Sequence, residues 1–321
     1  MALTSVLCAA AFLFLWLDRH ERDLVPWLVG GAAWGLAGPA VLTAAGVRFP
    51  QLLGAPGTGA PVPELWLAAP ALAAALPLLG VALPLALIAR SRVLDGPSSG
   101  AVFGLTVGLA FSVGMHVLLL IRTAWQPAAG ALAFVSLLHA TVGAALGAGI
   151  GWGDLAAPPA LRIPSFLGAT AAAAALGAVL VFGARAGWRR WGDANDACNL
   201  ALAVVSLVVL MGVIGLTLAF ERRVLGAQLA EEVELGVLPP WVTAVVPSYP
   251  RRIRSEWWGR RDERREITRL LVGLAFRKYK LRRLPEDRAR LYGLEVGRLR
   301  QRARVLLAPP PVLPPATSGA E

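Results

Sequence analysis

Charge is what the first two-thirds of this chain lacks. Residues 1–17, 26–45, 65–89, 100–121, 125–152, 164–184 and 198–220 contain no Asp, Glu, Lys or Arg. A helix needs about 20 apolar residues to cross a hydrocarbon core of about 30 Å, so these runs exclude an ordinary soluble domain and predict a membrane helix bundle. Histidine is scarce too, and only His116 and His139 lie within the runs. Intramembrane chemistry needs polar groups and such groups are costly there, so this scarcity narrows the functional classes. Cysteine is limited to Cys8 and Cys198, without CxxC spacing, which excludes a redox pair or a cysteine-built zinc site. Both read as small apolar packing residues. The start lacks a positive region and a small-x-small cleavage site, and Leu7 precedes Cys8, so neither a signal peptide nor a lipoprotein is read there.

What is present fits the same picture. The 321 residues are 56% hydrophobic and 16% charged, with mean hydropathy +0.61, values typical of a polytopic membrane protein. Charge gathers at the end: 21 of the 31 Lys and Arg, and 12 of the 20 Asp and Glu, follow residue 220. The membrane part therefore carries +2 and the tail +9. A basic segment directly after a last span is expected to be cytoplasmic and drawn to anionic lipid, at about 1 kcal/mol per basic residue. Arg251, Arg252, Arg254, Arg260 and Arg261 surround Trp257 and Trp258, an interfacial arrangement that favours a lipid surface over nucleic acid as the partner.

The expected fold is all-α: a polytopic bundle of about seven spans over 1–220, a basic amphipathic helical tail over 221–306, and a Pro-rich disordered end over 307–321. Seven spans and a cytoplasmic tail would put the N-terminus outside. The loops divide their arginines evenly, so the tail alone sets this orientation in the cell membrane. Residues 49–64 form a Pro- and Gly-rich connection, and the third stretch holds Pro70, Pro77 and Pro84 on one side of a helix. Either a bent packing helix or a distorted, cavity-lining one follows from them. Small-xxx-small pairs such as Gly104/Gly108 and Gly143/Gly147 allow helix backbones to approach closely. In the tail, Leu225, Leu229 and Val233 share one face, as do Ile267, Leu270, Leu271 and Leu274. Pro285-Glu286-Asp287 starts a further helix in which Tyr292, Val296, Leu299, Ala303 and Leu306 recur with 4-3-4-3 spacing. A helical hairpin on a membrane surface or against a partner is the expectation.

Several segments, in order, resemble the PrsW family of intramembrane metalloproteases. They are Trp16-Leu17-Asp18-Arg19-His20-Glu21-Arg22, Asp95-Gly96-Pro97-Ser98-Ser99-Gly100 leading into Val107-Gly108-Leu109-Ala110-Phe111, and Leu138-His139-Ala140-Thr141. The tail adds Glu231-Glu232-Val233-Glu234-Leu235-Gly236-Val237-Leu238 and Leu274-Ala275-Phe276-Arg277-Lys278. The resemblance implies a membrane-embedded zinc site and clients that are membrane-bound regulators such as anti-sigma factors.

The chain departs from that family where its chemistry is expected. The Glu-Glu-x-x-Lys motif implied by the resemblance is replaced by Ala73, Ala74 and Pro77, and the Glu of the fourth span by Met115, with His116 beside it. The loop's second Asp is Ser99, and the sixth span holds no histidine. Zinc hydrolysis requires about three protein ligands, an open position for water, and a general base. His139 remains as a metal ligand and His116 as a substitute, but no carboxylate lies among the apolar runs, and Glu64 and Asp95 stand at helix entrances. A lone intramembrane histidine is otherwise a hydrogen-bonded packing residue, with Ser136 or a neighbouring helix as its partner, while His20 reads as solvated. The leading expectation is a relative that binds membrane-spanning clients without cleaving them and needs no cofactor. The alternatives are an atypical zinc protease around His139 and His116, and a transporter or channel of small-residue helices.

Overall fold

The computed structural model describes residues 25–44, 96–123, 129–156, 162–191, 195–248, 251, 261–284 and 286–307. All regular structure among them is helical. The helices are α1 Val25–Ala44, α2 Pro97–Thr123, α3 Ala129–Ala156, α4 Arg162–Trp191, α5 Asn195–Glu234, α6 Trp241–Val245, α7 Arg261–Leu281 and α8 Glu286–Leu307. Four segments are long and apolar enough to cross a bilayer: Pro26–Ala44, Pro97–Leu118, Leu132–Gly153 and Ala197–Glu234. Pro164–Leu180 in α4 is a shorter apolar helix. The apolar runs at 1–17 and 65–89, with Ala73, Ala74 and Pro77, lie outside the described residues.

The chain divides into two compact units, Met1–Arg222 and Arg223–Glu321. In the first, α2 and α3 pack through glycine. A Cβ added at Gly100, Gly104 or Gly108 would fall within 3.0 Å of a carbonyl oxygen of Gly147, Gly143 or His139 respectively, and Gly151 meets Gly96 in the same way. These rungs step by four residues along both helices, in opposite directions, as two antiparallel helices in backbone contact require. Lipid tails are as apolar as leucine, so association in a bilayer draws on close packing, and small residues permit it. The same device joins α1 to α2, where Gly31 and Gly35 meet Val107 and Gly114 meets Leu36. Phe103, Val107, Leu146 and Val142 fill the core between the ladders.

Helix α5 closes this unit. Its Leu210 and Ile214 pack on Leu105, Ala140 and Ala144, Thr141 donates to the Ser206 carbonyl at 3.0 Å, and Phe220 stacks on Trp152 with centroids 4.3 Å apart. Cys198 is buried as a free thiol. Val204, Val208, Met211 and Leu216 face outward, as lipid contact demands. Forty residues span about 60 Å at 1.5 Å per residue, twice the hydrocarbon thickness. The uncharged 198–220 stretch suffices to fill the core, and Glu231 and Glu232 lie well beyond it, past Arg222 and Arg223.

The second unit contains the distal turns of α5, then α6, α7 and α8. Helix α5 ends at Gly236, whose φ of 67° suits a residue without Cβ. The Gly236 and Val237 N–H groups donate to the Val233 and Glu232 carbonyls, both at 2.9 Å, which is a Schellman stop. Helices α7 and α8 are antiparallel, since Arg277 pairs with Glu295 at 3.1 Å while Glu266, near the start of α7, pairs with Arg302 near the end of α8. Leu225, Leu229, Leu271, Leu274 and Ala303 are fully buried; each such leucine contributes about 1.5–3 kcal/mol. Leu306, read as inward-facing by its spacing, is exposed in the last turn of α8.

Candidate functional site

His139, Ser136, Ser112 and His116 lie where the glycine ladder stops. Positions 139, 143, 147 and 151 of α3 are the ladder's own rungs, and three of them are glycine. The fourth is His139, whose carbonyl meets Gly108. The close approach of α2 buries the imidazole to 4% exposure. Phe111, one turn on from Val107, presents its ring edge-on to His139, with centroids 5.5 Å apart.

Ser112 links the two helices at this level. Its hydroxyl donates to Ser136 Oγ at 3.2 Å, and its carbonyl lies 2.7 Å from His116 Nδ1. Ser136 precedes His139 by three residues and Ser112 precedes His116 by four, so each serine shares a helix face with a histidine. The expected Ser136–His139 bond is not formed: Ser136 engages Ser112, and His139 Nδ1 is buried with no hydrogen-bond partner. His116 Nε2 is in the same condition.

Met115 is 2% exposed and packs with Phe111 against Leu42, Leu118 and Val135. This is an apolar setting, at the position where the resemblance implies a catalytic carboxylate. Among the described residues no three His, Cys, Asp or Glu side chains lie close enough to hold a metal ion. Two imidazoles fall short of the three ligands and the base that zinc hydrolysis uses, so the described donor set does not fit a catalytic zinc.

Glu221 follows the last apolar run and reads as the first residue of the tail, yet it is buried in the first unit. It accepts hydrogen bonds from the Ser98 backbone N–H at 2.9 Å and from the Ser98 hydroxyl. The start of α2 has unpaired N–H groups and a partial positive charge, and Glu221 satisfies both. Ser98 precedes Gly108, which touches His139, by ten residues, or about 15 Å of helix. Glu221 is therefore a cap at one end of the bundle and stands far along α2 from His139.

The second unit holds a separate charged centre. Glu232 is fully buried. Arg300 grips it with Nε on Oε2 and Nη2 on Oε1, both at 2.7 Å, and Lys278 Nζ donates to Oε1 at 2.6 Å. Lys278 also pairs with Glu231 at 2.9 Å and reaches the Gln228 carbonyl, while Arg282 holds Glu231 from outside. Burial works to raise the Glu232 carboxyl, but the bonds from Arg300 and Lys278, with their charges, outweigh it and hold it below its ordinary 4.5. The bond to Glu232 in turn raises the Arg300 guanidinium. This centre ties α5, α7 and α8 together. Glu232 and Lys278 belong to the two tail segments that carry the family resemblance, whereas nothing in the spacing of Arg300 marked it as their partner.

Of the residues read as lipid contacts, Arg251 is exposed. Arg252, Arg254, Trp257, Trp258 and Arg260 lie outside the described residues, and Arg261 opens α7. Comparison of the chain with family models, with curated proteins and with solved structures finds no match.

Proposed function

We propose that this chain is a multi-pass membrane protein of PrsW-like design that holds a membrane-spanning protein without cutting it. In this reading it crosses the cell membrane about seven times and its basic tail faces the cytoplasm, against anionic lipid. The observation that carries it is the setting of His139. The imidazole is buried against the Phe111 ring, its own carbonyl meets Gly108 of the ladder, and Met115 packs in an apolar cluster one turn beyond Phe111. Among the described residues of the unit, the buried carboxylate is Glu221, which is engaged at the far start of α2. Among the described residues no carboxylate stands beside the histidine to activate water for attack on a peptide bond. A glycine-laddered bundle with outward valines and leucines supports a role in helix-to-helix recognition.

The test is metal content together with activity. Protein purified from membranes should hold well under one zinc per chain, and a bilayer-spanning peptide co-reconstituted with it should stay intact while showing energy transfer from the protein. Near-equimolar zinc that is lost in His139→Ala, with chelator-sensitive cleavage, would sink the proposal. That outcome is the second reading, an atypical zinc protease. Its support is the pair of buried, unpartnered nitrogens, His139 Nδ1 and His116 Nε2.

A further inference from the structure

Helix α8 has two used faces and one free one. Val296 and Ala303 point into the core of the second unit, and Arg300 is committed to Glu232. The remaining stripe runs Arg290, Leu294, Arg298, Gln301, Val305 in steps of three and four, with Arg304 beside it, and every member is exposed. Leu294 and Val305 are 64% and 72% exposed, and they share this helix face with the arginines. Arg290, Arg298 and Arg304 have no ion-pair partner among the described residues. Glu295, the acid in this part of the helix, is held by Arg277. The exposed acid Glu286 lies a full turn before the stripe begins.

We propose that this stripe of α8 lies along a bilayer surface containing anionic phospholipid, the aliphatic side chains entering the acyl boundary and the arginines meeting the phosphates. Alternating aliphatic and basic residues along one helix face suit an interfacial helix, because arginine keeps its charge in the headgroups while its stem covers apolar surface. A second copy of the chain is disfavoured, since a twofold contact would set arginine against arginine. Nucleic acid would use the arginines and leave Leu294 and Val305 in water. The surface is distinct from the Trp257–Trp258 region, and the inference rests on the membrane reading above.

The experiment uses the full chain in nanodiscs, carrying a nitroxide at Gln301→Cys in a Cys8→Ala, Cys198→Ala background. Adding phosphatidylglycerol to phosphatidylcholine nanodiscs should lower the label's collisions with a water-soluble nickel chelate several-fold and raise its collisions with oxygen. High salt should weaken this effect, and Arg290→Gln, Arg298→Gln, Arg304→Gln together should abolish it. Collision rates indifferent to phosphatidylglycerol would overturn the inference. So would dipolar broadening between labels, which would mark a contact between copies. If the chain fails to insert into nanodiscs at all, the membrane reading falls and takes this inference with it. A correctly inserted chain with an unresponsive label sinks this inference alone.

Discussion

The two units of this chain solve helix packing in opposite ways. In the first, helices meet where side chains are missing, and the contact is backbone against backbone at Gly100, Gly104 and Gly108. In the second, helices meet through leucines and a buried ion network around Glu232. On the membrane reading proposed above, the difference follows the solvent. Water drives leucines together and lets a charged pair be assembled before burial. A bilayer offers neither help, so the first unit removes bulk where its helices meet.

The largest test of this contrast is Glu232→Ala. It takes the buried counter-ion from Lys278, which keeps only the more exposed Glu231, and breaking a buried pair costs up to about 3–5 kcal/mol. The second unit should become sensitive to limited proteolysis while the first stays folded in detergent. Acid should act at the same place. Glu232 titrates below its ordinary 4.5 when folded, so its contribution is whole above that value and is lost as pH falls through the lowered one. Unfolding of the second unit, followed from neutral pH downward, should show this loss, and Glu232→Gln should flatten it.

Next in size is Gly104→Val, which forces a side chain against the Gly143 carbonyl. Overpacking costs about 1–3 kcal/mol and sometimes more. Gly212→Val is the control, because a Cβ there meets nothing within 4 Å. If both variants melt alike in detergent, the ladder is not what holds α2 to α3. A smaller loss, about 1 kcal/mol as for other lost caps, is expected for Glu221→Ala, read as earlier unfolding of the first unit. The smallest is Arg302→Gln. Its partner Glu266 is exposed, surface pairs contribute about 0–1 kcal/mol, and the melting of the second unit should barely move.

Much of the fold was legible because its signals are local. Apolar length marked the spans now seen as α1, α2, α3 and the first part of α5, and Pro285-Glu286 marked the start of α8. The small-xxx-small pairs at 104/108 and 143/147 are the ladder itself. Less was legible at the candidate site. Of the partners open to His139, Ser136 or a neighbouring helix, Ser136 is taken by Ser112 from another helix. Glu221 directly follows the last apolar run, and the unpaired N–H groups at the start of α2 draw it inside, which no local pattern announces.

The sequence by itself determined the class of this protein: uncharged runs of about 20 residues leave a chain little choice but the bilayer, and the absence of acids within them limits the chemistry available there. Only the tertiary structure decided which polar groups meet. Ser98 with Glu221, Ser112 with Ser136, and Lys278 with Arg300 on Glu232 are separated by tens of residues. Such pairs arise when helix faces are brought together, and the period of a single helix carries no information about what will stand opposite.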